Sequence, residues 1–185
     1  MKKTITLLAV LIILTMAGWL IFFDTNPENK VAAGDNLFFN LTSKPQKGSP
    51  APEFVLKDLN SVDRKLSDYR GKPVLVNFWS VDCAPCLNEM PVLQSAYEKT
   101  KGNLVVLGIN MGDPKNRVTS FVQSNKITFT ILTDSDGQVS QTYRIVAYPV
   151  SYFIDADGTI KDYHTGQLST ELLKTYLGKL GLTSW

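Results

Sequence analysis

Four nearly continuous apolar runs mark the chain beyond residue 70: Val74–Trp79, Leu104–Ile109, Ile127–Leu132 and Val150–Ile154. Each has the length of a strand, and the lack of polar alternation predicts central strands covered on both faces. Helical patterns lie between them. Asp113-Pro114 reads as an N-cap and first-turn proline, followed by Val118, Phe121 and Val122 on one face. Asp155-Ala156-Asp157-Gly158 supplies a turn into Thr159–His164, an expected antiparallel edge strand. Ser169 is placed to cap a last helix whose stripe is Leu172, Leu173, Tyr176, Leu177 and Leu180. With a further strand expected over Glu53–Leu59, the order of elements predicts an α/β domain, a central sheet with helices on both faces.

The N-terminal pattern is different. Thr4 to Phe23 is a run of 20 residues without a charge. As a helix it would span about 30 Å, the hydrocarbon thickness of a bilayer. Lys2 and Lys3 before it predict a cytoplasmic N-terminus and an extracytoplasmic remainder, and Trp19 suits the outer interface. A cleaved signal peptide is the competing interpretation, but its apolar region is shorter, about 7–15 residues. Residues 1–23 are thus expected to be an uncleaved signal-anchor in a bacterial cell membrane. Residues 24–49, with Pro27, Gly34, Pro45 and Gly48, read as a tether in which Leu37-Phe38-Phe39 could dock. The folded domain is expected over 50–185.

Charge adds an exclusion. Lys and Arg number 19 against 17 Asp and Glu, and Lys2 and Lys3 account for the excess. The body of the protein is neutral, with no footprint for nucleic acid.

The chemistry concentrates where Val74–Trp79 runs into Ser80-Val81-Asp82-Cys83-Ala84-Pro85-Cys86, which holds both cysteines of the chain. A Cys-x-x-Cys pair between a strand and a helix points to reversible redox work. Free N–H groups and the helix dipole stabilise a thiolate at a helix N-terminus, which makes Cys83 the partly exposed nucleophile. Cys86, one turn on, is then the buried resolving thiol, and Pro85 is tolerated in the first turn. Zinc requires four ligands, and the only histidine is His164. A purely structural disulfide closing so short a loop would stabilise little. No cofactor is expected beyond the cysteine pair itself.

Val76-Asn77-Phe78-Trp79, Cys-Ala-Pro-Cys, Glu89-Met90-Pro91 and Tyr148-Pro149 before Ser151–Asp155 together resemble the thioredoxin superfamily. More narrowly, they are similar to the membrane-anchored TlpA/ResA branch of extracytoplasmic thiol-disulfide oxidoreductases. The likeness runs from about Pro50 to the C-terminus. It implies a thioredoxin-like fold with a mixed central sheet, preceded here by one transmembrane helix. It also implies a cis peptide bond before Pro149, with the backbone of Tyr148 offered to an extended substrate, and Trp79 packed beside the disulfide. Catalytic roles are implied for Cys83, Cys86 and Glu89, and substrate contacts for Tyr148, Pro149 and Trp79. Glu89 lies three residues past Cys86, near the same helix face, where a carboxylate raises thiol pKa values and can move a proton. Asn77 stands where ordinary thioredoxins carry a buried Asp, which leaves Glu89 as the acid. Pro91 within the helix is expected to kink it.

Two departures stand out. Val150 follows the proline where the family more often has Thr. Asp82 replaces the usual aromatic residue before the first cysteine, and its charge is expected to disfavour the Cys83 thiolate. The resemblance implies client proteins with disulfides or paired cysteines, such as apocytochrome c (cytochrome c-type biogenesis) or envelope proteins. A thiol-electron relay in the membrane would then re-reduce the pair. Rivals remain. Disulfide formation is the reverse flow. Peroxide reduction is echoed by Ser80-Val81-Asp82-Cys83, although Val76 stands where peroxiredoxins have Pro. Copper delivery usually needs a longer cysteine spacing, and a docking module would carry an idle disulfide.

Overall fold

The computed structural model describes residues 44–183. The expected membrane helix over 4–23 lies outside the described residues, as do Leu37-Phe38-Phe39 and most of the expected tether. Among the described residues, no helix is long and apolar enough to cross a membrane.

Seven strands form one mixed sheet: β1 (Val55–Asp58), β2 (Asp63–Lys65), β3 (Val74–Trp79), β4 (Val105–Asn110), β5 (Thr130–Thr133), β6 (Val150–Ile154) and β7 (Ile160–Thr165). Their spatial order is β2-β1-β5-β4-β3-β6-β7. The three middle strands β5, β4 and β3 are parallel, and β6, β7, β1 and β2 extend the sheet antiparallel on its two sides. Helix α1 (Ala84–Lys99) connects β3 to β4, and α2 (Lys115–Ser124) connects β4 to β5. A short α3 (Gln138–Thr142) precedes β6, and α4 (Thr170–Gly178) follows β7.

Every residue of β3 is buried, because the strand is covered on both sides. Leu75 and Trp79 join a core with Met90 and Leu93 of α1, Val118 of α2 and Leu173 of α4. Val74, Val76 and Phe78 face the opposite layer, with Leu66, Val139 and Tyr143. The period of two places Asn77 on the α1 side, between Leu75 and Trp79. Gly108 of β4, beside Asn77 in register, makes room for the tryptophan. A Cβ there would lie 2.8 Å from Ile131 Cδ1 and 3.3 Å from Trp79 Nε1, so those side chains would have to shift.

Val74–Trp79 and Val150–Ile154 coincide with β3 and β6. The run at Ile127–Leu132 differs: pairing starts only at Thr130, while Ile127 and Phe129 are buried as loop residues beneath the helices. The helix expected from Asp113 begins at Lys115, with Pro114 at its cap and no side-chain cap bond. Ser169 caps α4, its Oγ accepting from the Leu172 N–H at 3.2 Å. At the N-terminal edge, Gly48 N–H donates to the carbonyl of Ile160 in β7 at 2.7 Å.

Candidate active site

The redox segment leaves the C-terminal end of β3, the edge at which open α/β sheets present their sites. Cys83 is the N-cap of α1, with an extended backbone, and Pro85 occupies the first turn. A disulfide joins Cys83 to Cys86. The Cys86 N–H donates to Cys83 Sγ at 3.2 Å, using one of the helix's free N-terminal donors. In the reduced protein that N–H and the helix dipole favour a thiolate on Cys83. Cys83 is 7% exposed and Cys86 wholly buried, so only the first cysteine reaches the surface.

The Tyr148–Pro149 peptide bond is cis. The Tyr148 carbonyl oxygen lies 3.8 Å from Cys83 Sγ, and the Tyr148 side chain is exposed. Val146, two residues earlier in the chain, is 98% exposed. Val150, where the resemblance implies Thr, is buried and pairs with Phe78 in the sheet.

Glu89 is fully buried one helical turn beyond Cys86. Its Oε1 accepts from Asn77 Nδ2 at 2.7 Å and its Oε2 from the Leu168 N–H at 2.7 Å. The same Asn77 amide donates to Ser151 Oγ at 3.0 Å, directly across from it in β6. Burial pushes the Glu89 carboxyl up to about 7, against the opposing pull of Leu168 and Asn77. A group poised there exchanges a proton near neutral pH.

Trp79, expected among the substrate contacts, corrects that expectation. It is wholly buried, packs in the core cluster that holds both cysteines, and its ring centroid lies 5.4 Å from that of Phe121. It supports the disulfide from beneath and offers no surface to a docked chain. Trp79 Nε1 and Asn77 Oδ1 are the buried side-chain polar atoms without a hydrogen bond among the described residues.

Two residues not singled out in the sequence as site residues hold the redox loop. Asp113, read as a helix cap, instead turns its carboxylate to the loop. Its Oδ2 accepts from the Val81 N–H at 2.8 Å and from Asn110 Nδ2 at 2.7 Å, and its Oδ1 accepts from Ser80 Oγ at 3.2 Å. Arg117, in the first turn of α2, grips Asp82 with both terminal nitrogens, at 2.9 and 2.5 Å. The acidic residue beside Cys83 is therefore an ion-paired one. His164 stands apart from this cluster, against Tyr176.

The geometry is that of a thiol-disulfide exchange site, and comparison with known proteins agrees. Residues 47–163 match the model of the AhpC/TSA family. Thiol-disulfide oxidoreductase ResA of Geobacillus thermodenitrificans is 38% identical over 141 residues, 76% of this chain and 81% of that protein. The chain belongs to this thioredoxin-like family, as a ResA-like thiol-disulfide oxidoreductase. ResA of Bacillus cereus is 32% identical over 184 residues, spanning 97% of this chain and 99% of its own length. A Chlorobium tepidum structure, assigned as thiol:disulfide interchange protein DsbE, superposes with a TM-score of 0.67 at 28% identity. It covers 75% of this chain and all of its own. Cys83 and Cys86 are thus the redox-active pair. No group of three potential metal-ligating side chains of His, Cys, Asp or Glu occurs among the described residues.

Proposed function

We propose that this oxidoreductase works outside the cytoplasmic membrane, anchored through residues 4–23, and reduces disulfides in client proteins such as apocytochrome c or envelope proteins. The observation that carries the proposal is the pairing of a surface-reaching Cys83, 3.8 Å from the Tyr148 carbonyl, with the buried acid Glu89 behind Cys86. An extended client would lie along Tyr148-Pro149 and present its disulfide to Cys83. The Cys83 thiolate attacks one client sulfur, forming a mixed disulfide and releasing the other as a thiolate. Cys86 then attacks the Cys83 sulfur, expelling the reduced client and closing the Cys83–Cys86 disulfide. Glu89 accepts the proton that Cys86 must lose, a transfer suited to an acid near 7. Two electrons have passed to the client, and a membrane thiol relay restores them.

The anchor is supported by the uncharged run Thr4–Phe23 and by the B. cereus relative, whose likeness extends over 97% of the chain. The test is mixed-disulfide trapping with Cys86→Ala in living cells. The variant is expected to accumulate extracytoplasmic clients bound to Cys83, released by dithiothreitol. Capture of a membrane oxidant alone, with client thiols left unoxidised in the variant, would reverse the direction to disulfide formation. An absence of adducts would leave the pair without a protein client.

A further inference from the structure

The Asp82–Arg117 pair calls for an explanation other than stability. Both side chains are largely exposed, at 66% and 48%, and an isolated surface ion pair contributes little to folding. Its geometry is nonetheless a two-pronged fork, the arrangement by which arginine fixes a carboxylate in orientation as well as charge. Its place is specific too. Asp82 immediately precedes the nucleophile, and Arg117 reaches it from a different element, the first turn of α2.

The charges around Cys83 show what the fork does. Asp82 lies in the redox loop itself, and Asp113 is bonded to Ser80 and Val81 of the same loop. Glu89 approaches from α1, and Tyr148 contributes a carbonyl oxygen, the negative end of its dipole. Every one of these disfavours a thiolate when charged or so oriented. Arg117 is a cation bonded to Asp82, four residues past Asp113.

We propose that Arg117 is a positioning residue for the redox pair: it turns the Asp82 carboxylate toward α2, cancels its charge beside Cys83, and so keeps the Cys83 thiolate populated. The Asp82 carboxyl is held below its usual range by this hydrogen bond, in line with a pair that persists through neutral pH. The acidic departure from the family's aromatic residue is thereby made compatible with a working nucleophile. The inference rests on thiol-disulfide chemistry and is independent of the client and of the direction of electron flow.

The experiment measures the rate of iodoacetamide alkylation of Cys83 against pH, in the full-length chain reduced and then freed of reductant. Arg117→Ala is expected to lower the thiolate fraction about threefold at low ionic strength, and 1 M NaCl to remove most of that deficit. Arg117→Lys retains most of the parent's thiolate, since it keeps the charge. Asp82→Asn raises the fraction, and Asp82→Asn with Arg117→Ala lies close to the parent. Arg117→Ala titrating like the parent would overturn the proposal. So would a deficit that persists unchanged in the double variant or at 1 M NaCl, which would mark a packing role for Arg117. Because no client takes part, the outcome stands whether or not the trapping experiment succeeds.

Discussion

Glu89 and Asp82 are both carboxylates within three residues of a redox cysteine, yet their surroundings drive them in opposite directions. Glu89 is fully buried, and desolvation lifts it to about 7 although two N–H donors hold its charged form. Asp82 is open to water, and the Arg117 fork draws it below its usual range. Near a thiol, the same functional group thus becomes a proton carrier in one place and a permanent charge in the other. Burial decides the first case and a partner decides the second.

The largest effect that can break this contrast belongs to Glu89. In the oxidised protein its carboxyl titrates at about 7, against 4.5 when free. The folded state therefore binds the proton more tightly. The associated stability is fully present below about 4.5 and is lost as pH rises through about 7, a difference of about 3 kcal/mol. Urea unfolding of the oxidised chain across that window is expected to show the decline, and Glu89→Gln to remove it. A variant that keeps the full decline would assign the titration to another group.

Asn77→Ala sharpens the same side of the comparison. It deletes a donor to the Glu89 carboxylate, and a hydrogen bond to a charged group contributes about 1.5–3 kcal/mol. The pH at which stability falls should move above that of the parent. Movement downward would mean that Asn77 does not support the ionised acid. The smallest effect is expected from Asp82→Asn, whose thermal midpoint should match the parent's because the pair lies in water. A marked loss of stability there would turn Asp82 into a structural residue and erase the distinction.

What was legible in the sequence followed from local physics. β3 and β6 are bounded by polar residues and turns, so their apolar runs and their pairing coincide. Ile127 and Phe129 misled because burial does not require a sheet partner. β2 is polar Asp63-Arg64-Lys65 on an edge, and α3 has five residues, too few to display a helical period. The cysteines could be found because a Cys-x-x-Cys pair at a helix start carries its own chemistry; Glu89 was marked by the resemblance, with its spacing from Cys86 in support. Asp113 and Arg117 could not, since they meet the redox loop from 32 to 35 residues away and carry no motif. Trp79 was given a substrate contact through likeness alone, whereas its place in an all-buried strand argues for the interior.

The Leu168 N–H that binds Glu89 Oε2 comes from 79 residues further along the chain. During synthesis the cysteines and their acid emerge well before that amide exists, so Glu89 waits without its anchor while the nascent domain is still incomplete. Maturation of this buried acid is therefore coupled to the docking of the last loop and helix. The enzyme reaches its working proton affinity only once its own folding is essentially finished.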